Sequence, residues 1–460
     1  MYKRQQQGYW QWNTEKIGSV SITDNVVDLM VRKIEKLDKK TQQVLKLAAC
    51  IGNHFNLEIL SLINNKSQIV TARDLQPSLN EGLIIPLDNN YKVPLLWDLV
   101  NTSRNSKVSS KLDSTCIPYR FLHDRIQQAA FFLIPEEEKK QIHLQIGRLL
   151  IKNIKENELQ NNIFDIVNHL NEGSALITEQ REKDELAKLN LQAGQKAKTS
   201  TAYESALIYF ETGARLLTEN SWENQYQLTL ELQVEILEAL YLNTKWERIE
   251  ELSTIILQKA HNILDQVKVY ELIILSYYAL FQPKKAIDTA VQALEKLGIK
   301  IPKEIVSESE IKNRITEEDI SLKLLLKGKS IEDIAALPLM TDPYKLAAMS
   351  ILQPVMTATW TTNFSLFVEI ILIQLNLCLN YNNPPQSAAT YACYGMLLCA
   401  VLGDIDGGYQ FGKLSITLLE KYNIPKLEPL VIYLYYAFIW HWKECCLLYT
   451  SDAADEEDSV

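Results

Sequence analysis

Two short segments of this 460-residue chain place residue types where phosphate chemistry would need them. In the first, Tyr119-Arg120-Phe121-Leu122 reads as a strand and gives way to a helical pattern at His123-Asp124. A helix start collects unpaired backbone N–H groups and the positive end of the helix dipole, so it attracts anions. Asp124 is placed to cap those amides. His123, one residue earlier, is placed to meet a nucleotide phosphate offered by an adjoining domain. The same pair also fits a purely structural role, with Asp124 as the cap and His123 packed at a domain boundary.

The second segment is Gly407-Gly408-Tyr409-Gln410-Phe411-Gly412-Lys413-Leu414, which has the spacing of a GxxxxGK phosphate loop. Leu414 stands where a Ser or Thr would hold magnesium, and no strand pattern precedes the motif. Its glycines also recur at helix-crossing spacing, so a packing role is the better reading. No GxSxG elbow or HExxH helix occurs, and no nucleophile, base and acid form a catalytic set. The seven cysteines include no CxxC pair and the six histidines are scattered, so no metal site is expected. An odd, irregular cysteine set points to reduced thiols that fill helix interfaces, and hence to a cytoplasmic address.

Forty-seven basic residues against fifty-seven acidic ones give a net charge of −10. That balance builds no general field for nucleic acid or for an anionic membrane. The N-terminus lacks a secretory core, and the apolar stretch from Phe364 to Leu379 is interrupted by Glu369, Gln374 and Asn376. No membrane span and no nucleic-acid partner are therefore expected. The composition is that of a globular protein with roughly three domains, at about 150 residues each.

Helical periodicity dominates the elements that must position these residues. Val26, Val27, Leu29, Met30, Ile34 and Leu37 recur at spacings of three and four. Three short helices follow, the last closed by Gly82. Leu83 to Leu87 is then a strand, Asp88-Asn89-Asn90 a turn, and Tyr91-Lys92-Val93 a return strand. The polar stretch from 101 to 114 reads as a loop. Beyond Ile134 only helices are expected. Small residues mark tetratricopeptide-like crossings at Gly194, Ala197, Ala206, Phe210 and Gly213, and again at Ala286, Ala290 and Ala293. A third set is Gly395, Leu398, Gly407, Phe411 and Leu414, and a weaker one runs from Leu237 to Ile256. The fold class is therefore mainly α: a winged-helix domain with a small β-hairpin wing, followed by a TPR-like α-solenoid.

Phe121-x-His123-Asp124-Arg125-Ile126-x-x-Ala129-Ala130 is followed by Ile134-Pro135-Glu136-Glu137 and His143-Leu144-x-Ile146-Gly147-x-Leu149-Leu150. Together they resemble the winged-helix region of STAND-type signalling ATPases. Trp10-x-Trp12, Ile22 to Met30, Leu47-Ala48-Ala49-Cys50-Ile51-Gly52-x-x-Phe55 and Asp165-x-Val167-x-x-Leu170-Asn171 narrow the resemblance. It is to the middle portion of large cyanobacterial-type kinases, which join serine/threonine kinase, AAA-like ATPase, helical-repeat, GAF and histidine kinase domains. The resemblance implies that His123 contacts ATP or ADP held by an ATPase domain outside this chain, with Asp124 supporting the local geometry. It also implies no bound cofactor and no catalysis by this portion alone, and an unidentified protein partner for the repeats.

On that reading, residues 6–35 end an ATPase helical lid, and 36–155 hold the winged helix and the helix after it. Repeats occupy 156–297 and 342–444, with a linker at 298–341. Residues 1–5 and 445–460 resemble adapter-derived ends rather than native sequence. Two other functions stay open. One is a transcription regulator reading DNA through residues 71–80, although Arg73 is the only base there and Asp74 adjoins it. The other is a helical scaffold with no nucleotide link.

Overall fold

The computed structural model describes residues 3–6, 9–12, 26–94, 117–153, 156–301, 307–326 and 331–444. The loop expected at 101–114 and the foreign tail expected at 445–460 lie outside these residues. The chain divides into two compact units, Met1–Glu219 and Asn220–Val460.

The first unit opens with β1 (Lys3–Gln6) and β2 (Tyr9–Trp12), paired antiparallel with Lys3 opposite Trp12. Helix α1 (Val26–Glu35) precedes α2 (Lys39–Ile51), β3 (His54–Asn56), α3 (Leu57–Ile63), α4 (Gln68–Asn80), β4 (Ile84–Pro86) and β5 (Pro118–Phe121). Local chemistry fixes the boundaries. Asp38 Oδ1 accepts the N–H groups of Lys40 and Thr41 at 3.0 Å, and Asn56 Oδ1 accepts that of Ile59 at 2.8 Å. Gly82 adopts a φ of +64°, which lets the Leu83 N–H reach Ser78 O at 2.9 Å and close α4.

The sheet runs β3-β5-β4, antiparallel throughout, with His54 opposite Arg120 and Ile84 opposite Phe121. Phe55 stacks on Tyr119 at 5.7 Å and leans on Phe121 at 5.5 Å. These rings close a core that includes Leu45, Ala48, Leu60 and Leu75. Two expectations about the sheet need correcting. Tyr91-Lys92-Val93 is not a strand: Asn89–Tyr91 is a single 3-10 turn, because Asp88 Oδ1 captures the Asn90 N–H at 2.8 Å. The partner of β4 is β5, and β3, which the sequence reading misses, occupies the other edge.

Helices α5 (Asp124–Phe132), α6 (Glu136–Asn153), α7 (Glu156–Glu172), α8 (Gln180–Thr199) and α9 (Tyr203–Leu216) complete the unit. Helices α8 and α9 cross at Gly194, where an added Cβ would stand 2.3 Å from the Phe210 ring. The glycine lets a fully buried phenylalanine seat between the helices.

The second unit is built from α10 (Ser221–Asn224), α11 (Tyr226–Leu242), α12 (Trp246–Lys259), α13 (Ile263–Ala279), α14 (Pro283–Lys296), α15 (Glu308–Leu326), α16 (Ile331–Ala335), α17 (Pro343–Trp360), α18 (Phe364–Tyr381), α19 (Ser387–Leu397), α20 (Ile405–Tyr422) and α21 (Glu428–Phe438). Successive helices pair, and Ala286, Ala290 and Ala293 are fully buried where α14 crosses its neighbours. The architecture is mainly helical with a small antiparallel sheet, as the periodicity requires.

Where a linker is expected, α15 forms a full helix. Its inward stripe is Ile315, Glu318, Asp319 and Leu322, so charge in the central turn breaks the apolar signal. Helix α18 is long and apolar enough to cross a membrane by length and composition alone, despite its interruptions at Glu369, Gln374 and Asn376. It lies within the helical unit, with 61% of its apolar window buried there. Cys50, Cys378, Cys393 and Cys399 are unpaired and buried, in keeping with a packing role.

Candidate functional site

The junction of β5 and α5 carries the phosphate-sensing candidates. Phe121 and Ile126, both buried, anchor the chain on either side of it. The Phe121 N–H donates to Asn53 O and the Leu122 N–H to Leu83 O, each at 3.0 Å, which fixes the end of the strand. Gln127 Nε2 donates to Ala49 O at 3.1 Å and ties α5 to α2. Between these anchors His123 and Asp124 stand exposed.

The cap is His123 rather than Asp124. Its extended backbone (φ −152°, ψ 143°) turns the ring back so that Nδ1 accepts the Arg125 N–H at 3.1 Å. Asp124 is instead the first residue of the helix, where its charge suits the dipole. A ring whose Nδ1 accepts a backbone N–H carries its proton on Nε2 when neutral. His123 is therefore a fixed, exposed imidazole with one N–H to give. Arg125 lies beside it, held by Gln128 Oε1 at 2.9 Å. The arrangement suits recognition of an anionic oxygen at a helix start.

The remaining sequence candidates resolve as structure. Gly407, Gly408, Gly412 and Lys413 lie inside α20, not in a loop. Asp404 Oδ1 caps that helix through the Gly407 N–H at 2.9 Å. A Cβ at Gly408 would stand 2.3 Å from Cys399 Sγ and 2.7 Å from Gly395 O, so the glycine permits a helix crossing. In α4, the helix at the DNA-reading position, Asp74 accepts an ion pair from Lys66 at 2.7 Å. Trp10 and Trp12 fall in β2. Among the described residues no three His, Cys, Asp or Glu side chains gather as a metal would require.

Sequence reasoning missed a histidine pair in the first unit. His143 on α6 and His169 on α7 bring their Nδ1 atoms to 2.8 Å, with ring centroids 5.0 Å apart. Burial holds both imidazoles below their ordinary pKa, His169 at about 4. Their separation of 26 residues follows from the α6–α7 hairpin, a signal visible only once both helices are in register. His169 also lines a cavity of about 580 Å³ with Asn53, Asn56, Asn162 and Asp165.

The chain is 28% identical to the hybrid signal transduction histidine kinase G of Dictyostelium discoideum over 483 aligned positions. The alignment covers 94% of this chain, which spans 14% of that protein's length. Among solved structures it is similar to a STAND protein with a tetratricopeptide repeat sensor from Pyrococcus horikoshii, at 11% identity and a TM-score of 0.35. That likeness covers 90% of this chain and 50% of the other, and it is too distant to decide fold or function. No family model matches. The chain is thus similar in sequence to a signal-transduction histidine kinase, over a small part of that kinase's length.

Proposed function

We propose that this chain is a regulatory, non-catalytic segment of a multidomain signalling kinase, coupling a STAND-type ATPase domain to a helical-repeat region that receives a protein partner. The order α2, β3, α3, α4, β4, β5 supports a winged-helix reading, and His123 sits where the sheet hands over to α5. The observation that carries the reading is the capped imidazole. The Arg125 amide occupies Nδ1, so the ring is oriented and its Nε2 edge is left exposed to meet an outside acceptor. A nucleotide phosphate on an ATPase domain of the same polypeptide is that acceptor. Loss or gain of the terminal phosphate would then bias two arrangements of the domains.

The reading supports a cytoplasmic kinase of the histidine class, with serine/threonine kinase activity as a further proposal from the resemblance. ATP or ADP would be bound by the ATPase domain, with the Asp124 charge favouring the helix start that His123 caps. DNA reading is disfavoured because Asp74 of α4 neutralises Lys66, which lies just before that helix. The experiment is turnover by the purified chain. ATP hydrolysis at background level is expected, and hydrolysis that disappears with a single substitution in this chain would refute the non-catalytic role.

A further inference from the structure

The inner face of α18 carries a carboxylate that its present neighbour only half satisfies. Glu369 is 2% exposed, and its Oε1 accepts Arg314 Nε of α15 at 3.3 Å. Its Oε2 is buried and has no hydrogen-bond partner. Arg314 is oversubscribed: its Nη1 also lies 3.7 Å from Glu318 and 4.0 Å from Glu317. One guanidinium therefore answers three carboxylates, two of them brought by α15 itself. Burial raises the Glu369 pKa above the ordinary carboxylate range, Arg314 lowers it, and Glu318 raises it further.

The rest of the seam has the same mixed character. Asn376, two turns along α18 from Glu369, donates to Glu318, and Tyr394 of α19 donates to Asp319 at 3.3 Å. Only Ile315 and Leu322 bring buried apolar groups from the described side chains of α15. A buried charge pair with an unmet lone pair contributes little net stability, because desolvation offsets the attraction. Helix α15 is thus a weakly held ligand of a face whose one buried carboxylate still lacks a donor on Oε2.

We propose that the α18 face around Glu369 is a docking site for a basic amphipathic helix of a partner protein, with α15 as its imperfect internal occupant. The partner helix would present two cations one turn apart over Glu369. Apolar residues would sit at the positions that Ile315 and Leu322 now fill. This proposal is independent of the nucleotide role of His123.

The test uses the full chain carrying R314A and two labelled peptides of residues 308–326. One peptide has the natural sequence and the other carries E317K and E318Q. Hydrogen exchange in 308–326 should quicken at least tenfold in the variant, with α18 and α19 unchanged. The substituted peptide should bind at least tenfold more tightly than the natural one, and adding E369Q should remove that advantage. Unchanged exchange, equal binding, or no binding to a chain whose α15 has loosened would overturn the proposal. Should R314A not fold, E318Q in the otherwise natural chain gives the same reading. It removes a competing charge yet keeps an acceptor for Asn376, so exchange in α15 should slow severalfold, and unchanged or faster exchange would overturn it.

Discussion

His143 and His169 face each other Nδ1 to Nδ1 at 2.8 Å across the α6–α7 hairpin. One ring must donate and the other accept, so the pair is stable only while at least one imidazole is neutral. Phe131 meets His143 edge-on at 5.9 Å, and Glu172 and Lys139 act on His143 with opposite sign. Desolvation exceeds both effects and keeps the rings uncharged.

The pair makes stability depend on pH. Because the folded pKa values lie below the ordinary 6.5, the unfolded chain binds more protons as the pH falls. The stabilisation is complete above pH 6.5 and is lost down through pH 4, where His169 titrates. The upper bound is about 3 kcal/mol for His169. Urea unfolding of the natural chain and of His169→Gln at pH 7.5 and pH 4.5 checks it. The natural chain should lose more stability than the variant, and parallel losses would count against the pair.

Close approach at Gly194 should be intolerant of a side chain. A Cβ there meets the Phe210 ring at 2.3 Å, so Gly194→Ala should cost about 1–3 kcal/mol by overpacking. Adding Phe210→Leu should recover part of that loss. Thermal melts of the natural chain and the two variants decide the matter, and an unchanged melting temperature for Gly194→Ala would show that the crossing is looser than described.

The GxxxxGK-like segment separates packing from phosphate binding. Gly408→Ala should lower stability by about 1–3 kcal/mol, because the new methyl group meets Cys399 and the Gly395 carbonyl. Lys413→Ala should leave stability within about 0.5 kcal/mol. Neither variant should alter nucleotide binding by the chain, measured by fluorescent ATP titration. A loss specific to Lys413→Ala would restore the phosphate-loop reading.

Legibility in the sequence tracked the strength of the apolar pattern. The helix pairs marked by Gly194, Ala286 and Gly395 were visible because small residues at crossings leave a periodic trace. Strand β3 was invisible because three residues, His54–Asn56, are too few to show alternation. Helix α15 was hidden for a different reason: Glu318 and Asp319 occupy its inward stripe. At the candidate site, the helix start at His123-Asp124 was readable, but the identity of the cap was not. Asp usually outcompetes His there, yet β5 delivers His123 in the extended conformation that a cap requires.

His123→Asp is the most direct test of nucleotide sensing, because it separates the cap from the donor. Aspartate keeps an acceptor for the Arg125 amide, so the unit should fold with stability within about 1 kcal/mol of the natural protein. It also places a negative charge where a phosphate would lie. On the proposed function, the measurement is ADP release from a polypeptide in which this chain is joined to its ATPase domain. At least tenfold faster release from the His123→Asp protein, with kinase output altered, is expected; release and output matching the natural protein would contradict the role assigned to His123.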